Sequence, residues 1–162
     1  MRRMSLQCTI SLLLWIVAFQ VLAGLSAQYG APGLWYQDLV KSPLTPPGYV
    51  FGIVWTFLYT LLAVYGWGLW QVNTYKRDQD VVRFFFLLQM FINYTWSPVF
   101  FGLGMVMIAL IMIFAMIMLT AYLAYYSFVY DDVCGYLLLP YIGWLTFAGY
   151  LTAYILWFYP TV

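Results

Sequence analysis

Long apolar stretches alternate with short polar segments along this chain. An α-helix needs about 20 consecutive apolar residues to cross a bilayer. The pattern predicts five such helices, over about residues 5–27, 48–72, 81–99, 104–130 and 133–158. The uncharged run from residue 84 to 130 is too long for one helix, and we expect a break between Ser97-Pro98 and Gly104. Prolines mark residues 28–47 as a loop, which is a candidate lid.

Composition supports the membrane interpretation. Hydrophobic residues make up 66% of the 162 positions and charged residues only 7%, whereas a soluble domain carries about 25% charged residues. An open sheet has edges that lipid cannot satisfy, and a β-barrel requires alternating polarity that these runs lack. We therefore predict an all-α integral membrane protein, a five-transmembrane-helix bundle forming one domain over residues 1–162.

The basic residues predict an orientation. Arg2, Arg3, Lys76, Arg77 and Arg83 fall on one side of the predicted bundle, and Lys41 falls on the other. The positive-inside rule then places the N-terminus inside and the C-terminus outside the cell membrane. An alternative is that the first apolar stretch, with Leu25-Ser26-Ala27 at its end, is a cleaved secretory signal.

The same residues exclude several kinds of chemistry. The chain contains no His and has a net charge of +1, so we expect no His-dependent catalysis, no metal site and no nucleic-acid partner. The predicted spans contain no pair of carboxylates, which argues against ion-coupled transport. Cys8 and Cys134 have no CxxC partner and are interpreted as packing residues. Gly48 and Gly52 form a GxxxG pair of the kind that lets helices approach closely.

Polar and indole groups inside the spans define a candidate site. Gln89, Asn93 and Trp96 share one face of the third predicted helix. These side chains either form hydrogen bonds between helices or belong to a ligand site, and the pattern alone leaves both interpretations open. Trp55 and Trp144 also lie well inside their spans, and each carries an N–H that needs a partner. An apolar, tryptophan-lined interior suits a flat hydrophobic ligand.

Three motifs follow one another along the chain. The first motif is Trp35-Tyr36-x-x-Leu39-x-Lys41, followed by Pro46-Pro47-x-x-Val50-Phe51-Gly52-x-Val54-Trp55-x-x-Leu58-Tyr59. The second is Asn93-x-x-Trp96-x-Pro98-x-Phe100-Phe101-Gly102, and the third is Leu139-Pro140-Tyr141-x-x-Trp144-x-x-Phe147-Ala148. In this order the three motifs resemble those of one known family, the tryptophan-rich sensory protein/translocator protein (TspO/MBR) family.

The resemblance implies a homodimeric five-helix bundle, here of bacterial type, that binds porphyrins, sterols or benzodiazepine-type drugs beneath the first loop. The family's pocket residues fall on Trp55, Asn93, Trp144 and Ala148. Our candidate ligand-binding set is Trp35, Tyr49, Trp55, Tyr59, Gln89, Asn93, Trp96, Tyr141, Trp144 and Ala148. The chain lacks a basic residue after Arg83, so the C-terminal sterol-recognition pattern is missing.

The chain departs from the family pattern at four positions. Leu44 and Tyr49 replace loop aromatics, Tyr94 stands where Trp commonly follows Asn, and Thr152 stands where Asn often follows Leu. We expect these changes to shrink or polarise aromatic surface near the pocket.

The first functional hypothesis is a receptor or sensor, with a role in transport or regulation, whose ligand is a tetrapyrrole such as protoporphyrin IX or heme. No cofactor is required. One alternative, implied by the resemblance, is light-dependent breakdown of protoporphyrin IX with Trp55 and Trp144 as the reactive side chains. Another is a structural or regulatory membrane partner whose own aromatics fill the pocket.

Overall fold

The structure is a computed structural model that describes residues 5–29, 33–71, 78–130 and 133–159. Within these ranges all regular elements are helical, and five helices are long and apolar enough to cross a membrane. The predicted all-α, five-helix membrane bundle is confirmed. The chain is therefore an integral, multi-pass membrane protein.

The helix bounds follow the predicted spans closely. The elements are α1 (Leu6–Tyr29), α2 (Leu34–Gln37), α3 (Gly48–Gln71), α4 (Gln79–Ser97) with a π-helical turn (Pro98–Gly102), α5 (Val106–Val129), a 3₁₀ helix (Val133–Leu138) and α6 (Leu139–Phe158). The sequence did not predict α2, a single helical turn inside the loop. Four of the basic residues used for the orientation prediction lie outside the described residues: Arg2, Arg3, Lys76 and Arg77.

The break between the third and fourth spans lies later than we expected. Pro98 does not end the helix but begins the π turn, in which the N–H of Leu103 donates to the Pro98 carbonyl at 3.0 Å. Proline lacks the N–H that would bond to the Tyr94 carbonyl one turn earlier, and the Ser26 hydroxyl of α1 donates to that carbonyl instead, at 2.6 Å. The chain reverses at Gly104, whose φ of +67° favours glycine.

Arg83 lies inside α4 rather than in a loop. Its guanidinium donates from Nε and Nη2 to the Leu69 carbonyl at 3.2 and 3.1 Å, near the C-terminal end of α3. Its apolar stem covers helix surface while the charge satisfies a terminal carbonyl, so this cation sits at the end of the bundle.

The apolar core lies among α3, α4, α5 and α6, and α1 packs on one side of it. Only Phe19 of α1 is buried, whereas α3 buries seven residues. The tight contact between α1 and α3 is at Gly66, where an added Cβ would lie 2.9 Å from the Trp15 ring. At Gly48 and Gly52 an added Cβ would meet nothing within 4 Å, so no described helix of this chain packs tightly against the GxxxG pair.

Candidate functional site

A cavity of about 720 Å³ lies in the loop-side half of the bundle. Its walls come from α1, α3, α4, α5 and α6, and residues 36–46 of the loop form its roof. Pockets for small organic ligands usually measure about 300–1,000 Å³. The interior of this bundle is therefore hollow on the scale of a small molecule.

Aromatic rings form the deep wall of the cavity. Trp55 and Trp144 meet edge to face, with ring centroids 6.5 Å apart and planes at 88°. Phe51 braces Trp144 at 5.6 Å, and Tyr59 packs against Trp55 at 5.3 Å. Edge-to-face pairs of this kind contribute about 0.5–1.5 kcal/mol beyond their buried area. The rings support one another and leave indole faces available to a flat ligand.

The polar groups of α4 are mostly satisfied by the protein itself. Asn93 accepts a hydrogen bond from the Tyr59 hydroxyl and donates Nδ2–H to the Tyr141 hydroxyl. Gln89 donates Nε2–H to the same Tyr141 oxygen. This network ties α4 to α3 and α6. Of these residues, Asn93 and Tyr59 also line the cavity. The same side chains therefore hold the helices together and form part of the cavity wall.

One polar group in the cavity wall has no partner. The Trp144 Nε1–H is buried and makes no hydrogen bond within the part of the chain that the structure describes. By contrast, Trp96 donates its Nε1–H to the Ala109 carbonyl at 3.0 Å. A buried donor without an acceptor costs about 1–3 kcal/mol. The indole of Trp144 lines the cavity, while its N–H lies inside the protein.

Lys41 is the only charged side chain among the described residues that line the cavity. Its Nζ donates to the carbonyls of Gln37 and Leu39 at 3.0 and 3.3 Å and lies 4.8 Å from the centre of the Tyr36 ring. Burial raises the pKa of the Tyr36 phenol, which keeps that group neutral at physiological pH. The roof therefore presents one positive charge to an otherwise apolar cavity.

Three hydrogen bonds hold the roof on the bundle. Trp35 donates Nε1–H to the Phe101 carbonyl in the π turn at 2.8 Å. The hydroxyls of Ser42 and Tyr150 are 3.0 Å apart, and the N–H of Val40 donates to the Tyr159 hydroxyl at 3.3 Å. The loop is thus anchored to α6 and to the end of α4.

Comparison with known proteins identifies the fold family. The family model described as the TspO/MBR family matches residues 10–158. The chain belongs to the TspO/MBR family. It is 36% identical to the tryptophan-rich protein TspO of Archaeoglobus fulgidus, over 72% of this chain and 74% of that protein. It is 31% identical to the tryptophan-rich sensory protein of Cereibacter sphaeroides (82% and 83% covered) and 31% identical to the translocator protein of Bos taurus (82% and 80%).

Membership of the TspO/MBR family supports a sensor- or receptor-type role in the membrane. The four residues that the family motifs single out come together in one place. Trp55, Asn93, Trp144 and Ala148 all line the cavity, although they come from three different helices. Their part in ligand binding stays a prediction.

The other six predicted site residues divide into two groups. Tyr59 and Trp96 line the cavity. Gln89 and Tyr141 are buried in the network behind it, Trp35 anchors the roof, and the Tyr49 side chain is 71% exposed. The structure therefore brings six of the ten predicted residues to the cavity, while the remaining four lie behind, above or outside it.

Sequence reasoning missed the α1 wall and the roof cation. Gln20, Ala23 and Gly24 line the cavity from α1, and Tyr36 and Lys41 line it from the loop. A lone glutamine inside an apolar span was an available signal for Gln20. The small residues carry no such signal because alanine and glycine are common in membrane helices.

None of the four departures from the family pattern lines the cavity. Leu44 and Tyr49 are largely exposed. Tyr94 stacks on Tyr59, with ring centroids 5.5 Å apart, and Thr152 donates to the Ala148 carbonyl at 2.8 Å. The effect of these changes on the aromatic surface near the pocket stays a prediction.

Proposed function

We propose that this protein is a membrane receptor or sensor for planar amphiphilic molecules of the porphyrin class, which bind in the cavity between α1, α3, α4, α5 and α6. The observation that carries the proposal is a cavity of about 720 Å³ that Trp55 and Trp144 line. A hollow interior favours this proposal over the alternative in which the protein's own aromatics fill the pocket.

The cavity matches such a ligand at three points. The Trp55 and Trp144 rings offer surfaces for a flat apolar body. The Asn93 amide lies in the cavity wall and offers a polar contact that orients the ligand. The Lys41 ammonium lies at the roof, where an acidic side group of an amphiphile would remain near the headgroup level.

The test is a binding titration with protoporphyrin IX on protein in lipid nanodiscs, with empty nanodiscs as the background. The shift of the porphyrin absorption band is the readout, because it does not depend on which tryptophan has been replaced. We expect saturable binding that Trp144→Phe weakens about five-fold, since the smaller ring loses about 1 kcal/mol of aromatic contact with the ligand.

The chain offers a matched control for this substitution. Trp157 lies on the same helix but is 83% exposed toward the surroundings, so Trp157→Phe should leave the affinity unchanged. Binding that does not saturate, or that responds equally to the two substitutions, would refute the proposal.

A further inference from the structure

The cavity wall between α1 and α3 is built differently from the others. Here the lining residues are small, with Ala23, Gly24 and Ala27 on α1 and Gly48 and Gly52 on α3. Gly24, Ala27, Gly48 and Gly52 are also exposed. No large side chain therefore covers them.

The two helices are in contact at one end and apart at the other. At Gly66 of α3 an added Cβ would lie 2.9 Å from Trp15 of α1, whereas at Gly24 and Gly52 it would meet no atom within 4 Å. A hydrogen bond from Trp67 Nε1 to the Ser11 hydroxyl, at 3.3 Å, belongs to the packed end. The open space beside Gly24 and Gly52 is called the slot below.

A polar contact marks the inner end of the slot. Gln20 donates from Nε2 to the Thr56 carbonyl at 2.8 Å and to the Thr60 hydroxyl at 3.1 Å. Gly24 lies one helical turn beyond Gln20, and Gly52 lies one turn before Thr56. This antiparallel register places the two glycines level with each other, in the loop-side leaflet.

The neighbouring helix pairs around the cavity make direct contacts. Between α1 and α4, Ser26 donates to the Tyr94 carbonyl at 2.6 Å, and Tyr94 donates to the Phe19 carbonyl at 3.4 Å. Between α3 and α6 the rings of Phe51 and Trp144 lie 5.6 Å apart. The roof is held by the hydrogen bonds already described.

We propose that the slot between α1 and α3, bordered by Gly24 and Gly52, is the entrance through which a ligand dissolved in the loop-side leaflet reaches the cavity. This inference rests on the proposed function, because it concerns the route to the same cavity. The occupant is a flat apolar molecule that partitions into lipid, since the slot opens between transmembrane helices and its edges carry no side chain longer than a methyl group. Hydrophobic partitioning concentrates such a molecule in the bilayer before it binds.

Substitution of the two glycines tests the entrance. Gly24→Leu and Gly52→Leu each place a branched side chain in open space, and leucine is a better helix former than glycine by about 0.8–1.0 kcal/mol. The control is Gly143→Leu, because an added Cβ there also meets nothing within 4 Å and Gly143 does not line the cavity. The probe is protoporphyrin IX, followed by stopped-flow absorption with the protein in lipid nanodiscs.

An obstructed entrance slows passage in both directions. We expect the association and dissociation rates both to fall, each by about tenfold, in either slot variant. Gly143→Leu should match the wild type in both rates.

The outcomes separate this inference from the proposed function. Saturable binding with wild-type rates in both slot variants overturns the entrance and leaves the receptor proposal standing. A weaker Kd with an unchanged association rate also overturns it, because the glycines would then be contact surface. Absence of saturable binding to the wild type overturns both proposals.

Discussion

The Lys41 ammonium should favour ligands that carry a carboxylate. The perturbation is a pair of changes, Lys41→Met in the protein and esterification of both acid groups in protoporphyrin IX. Methionine keeps an unbranched apolar stem but removes the charge, and the dimethyl ester removes the negative charges while the macrocycle is unchanged. Together they form a cycle that isolates the charge interaction.

The expected magnitude lies between two limits. An ammonium and a carboxylate about 4 Å apart attract by about 4 kcal/mol at an effective dielectric constant of about 20. Fully exposed pairs retain only about 0.2–1 kcal/mol, because water screens them and both side chains lose freedom. Lys41 is partly buried, and two carbonyl groups already hold its Nζ. We therefore expect about 1 kcal/mol, a factor of about five in Kd.

The assay is the nanodisc titration, run with both ligands on both proteins. The ratio of ester Kd to acid Kd should be about five times larger for the wild type than for Lys41→Met. Differences in lipid partitioning between the two ligands cancel, because both proteins are titrated with the same two ligands. Added salt should reduce the wild-type ratio. Equal ratios for the two proteins would refute the assignment of Lys41 as the carboxylate partner.

Three further changes test the packing and the chemistry of the site. Tyr141→Phe leaves two buried amide N–H groups without their acceptor and should lower the free energy of unfolding in detergent by about 1–3 kcal/mol, from about 0.6–1.7 kcal/mol per interhelical bond. Gly66→Ala should lower the same quantity by about 1–3 kcal/mol, because its Cβ would lie 2.6 Å from Phe86. If Trp55 and Trp144 promote porphyrin breakdown, the double Trp→Phe variant should slow the light-dependent loss of porphyrin absorbance.

Each of these changes has a control. Tyr125 is 64% exposed, and Tyr125→Phe should change the unfolding free energy by less than about 0.5 kcal/mol; a similar cost at Tyr141 would contradict the network. Gly143→Ala should be tolerated, since its Cβ meets open space, and equal tolerance at Gly66 would contradict the tight crossing. Breakdown at the wild-type rate in the double variant would mean that photochemistry in bulk lipid suffices.

The five spans could be predicted because membrane insertion depends on apolar length and charge position, both of which are properties of the linear sequence. The π turn could not be predicted, because a proline at position 98 normally indicates the end of an α-helix. The helix continues past Pro98 through the wider hydrogen bond from the Leu103 N–H to the Pro98 carbonyl. Similarly, Asn93 was placed on the right helix face, but its partners Tyr59 and Tyr141 depend on how three helices meet.

The hollow interior illustrates a further limit of prediction from the sequence. Gly52 and Gly66 lie on the same helix and are the same residue, yet one borders open space and the other a helix crossing. The difference comes from α1, which places the large Trp15 ring against Gly66 and the small Gly24 level with Gly52. A glycine permits close approach only where the partner helix supplies something to fill the space, so a small residue facing another small residue leaves a gap. The cavity and its lateral opening are therefore encoded in pairings between helices, which no single stretch of sequence reveals.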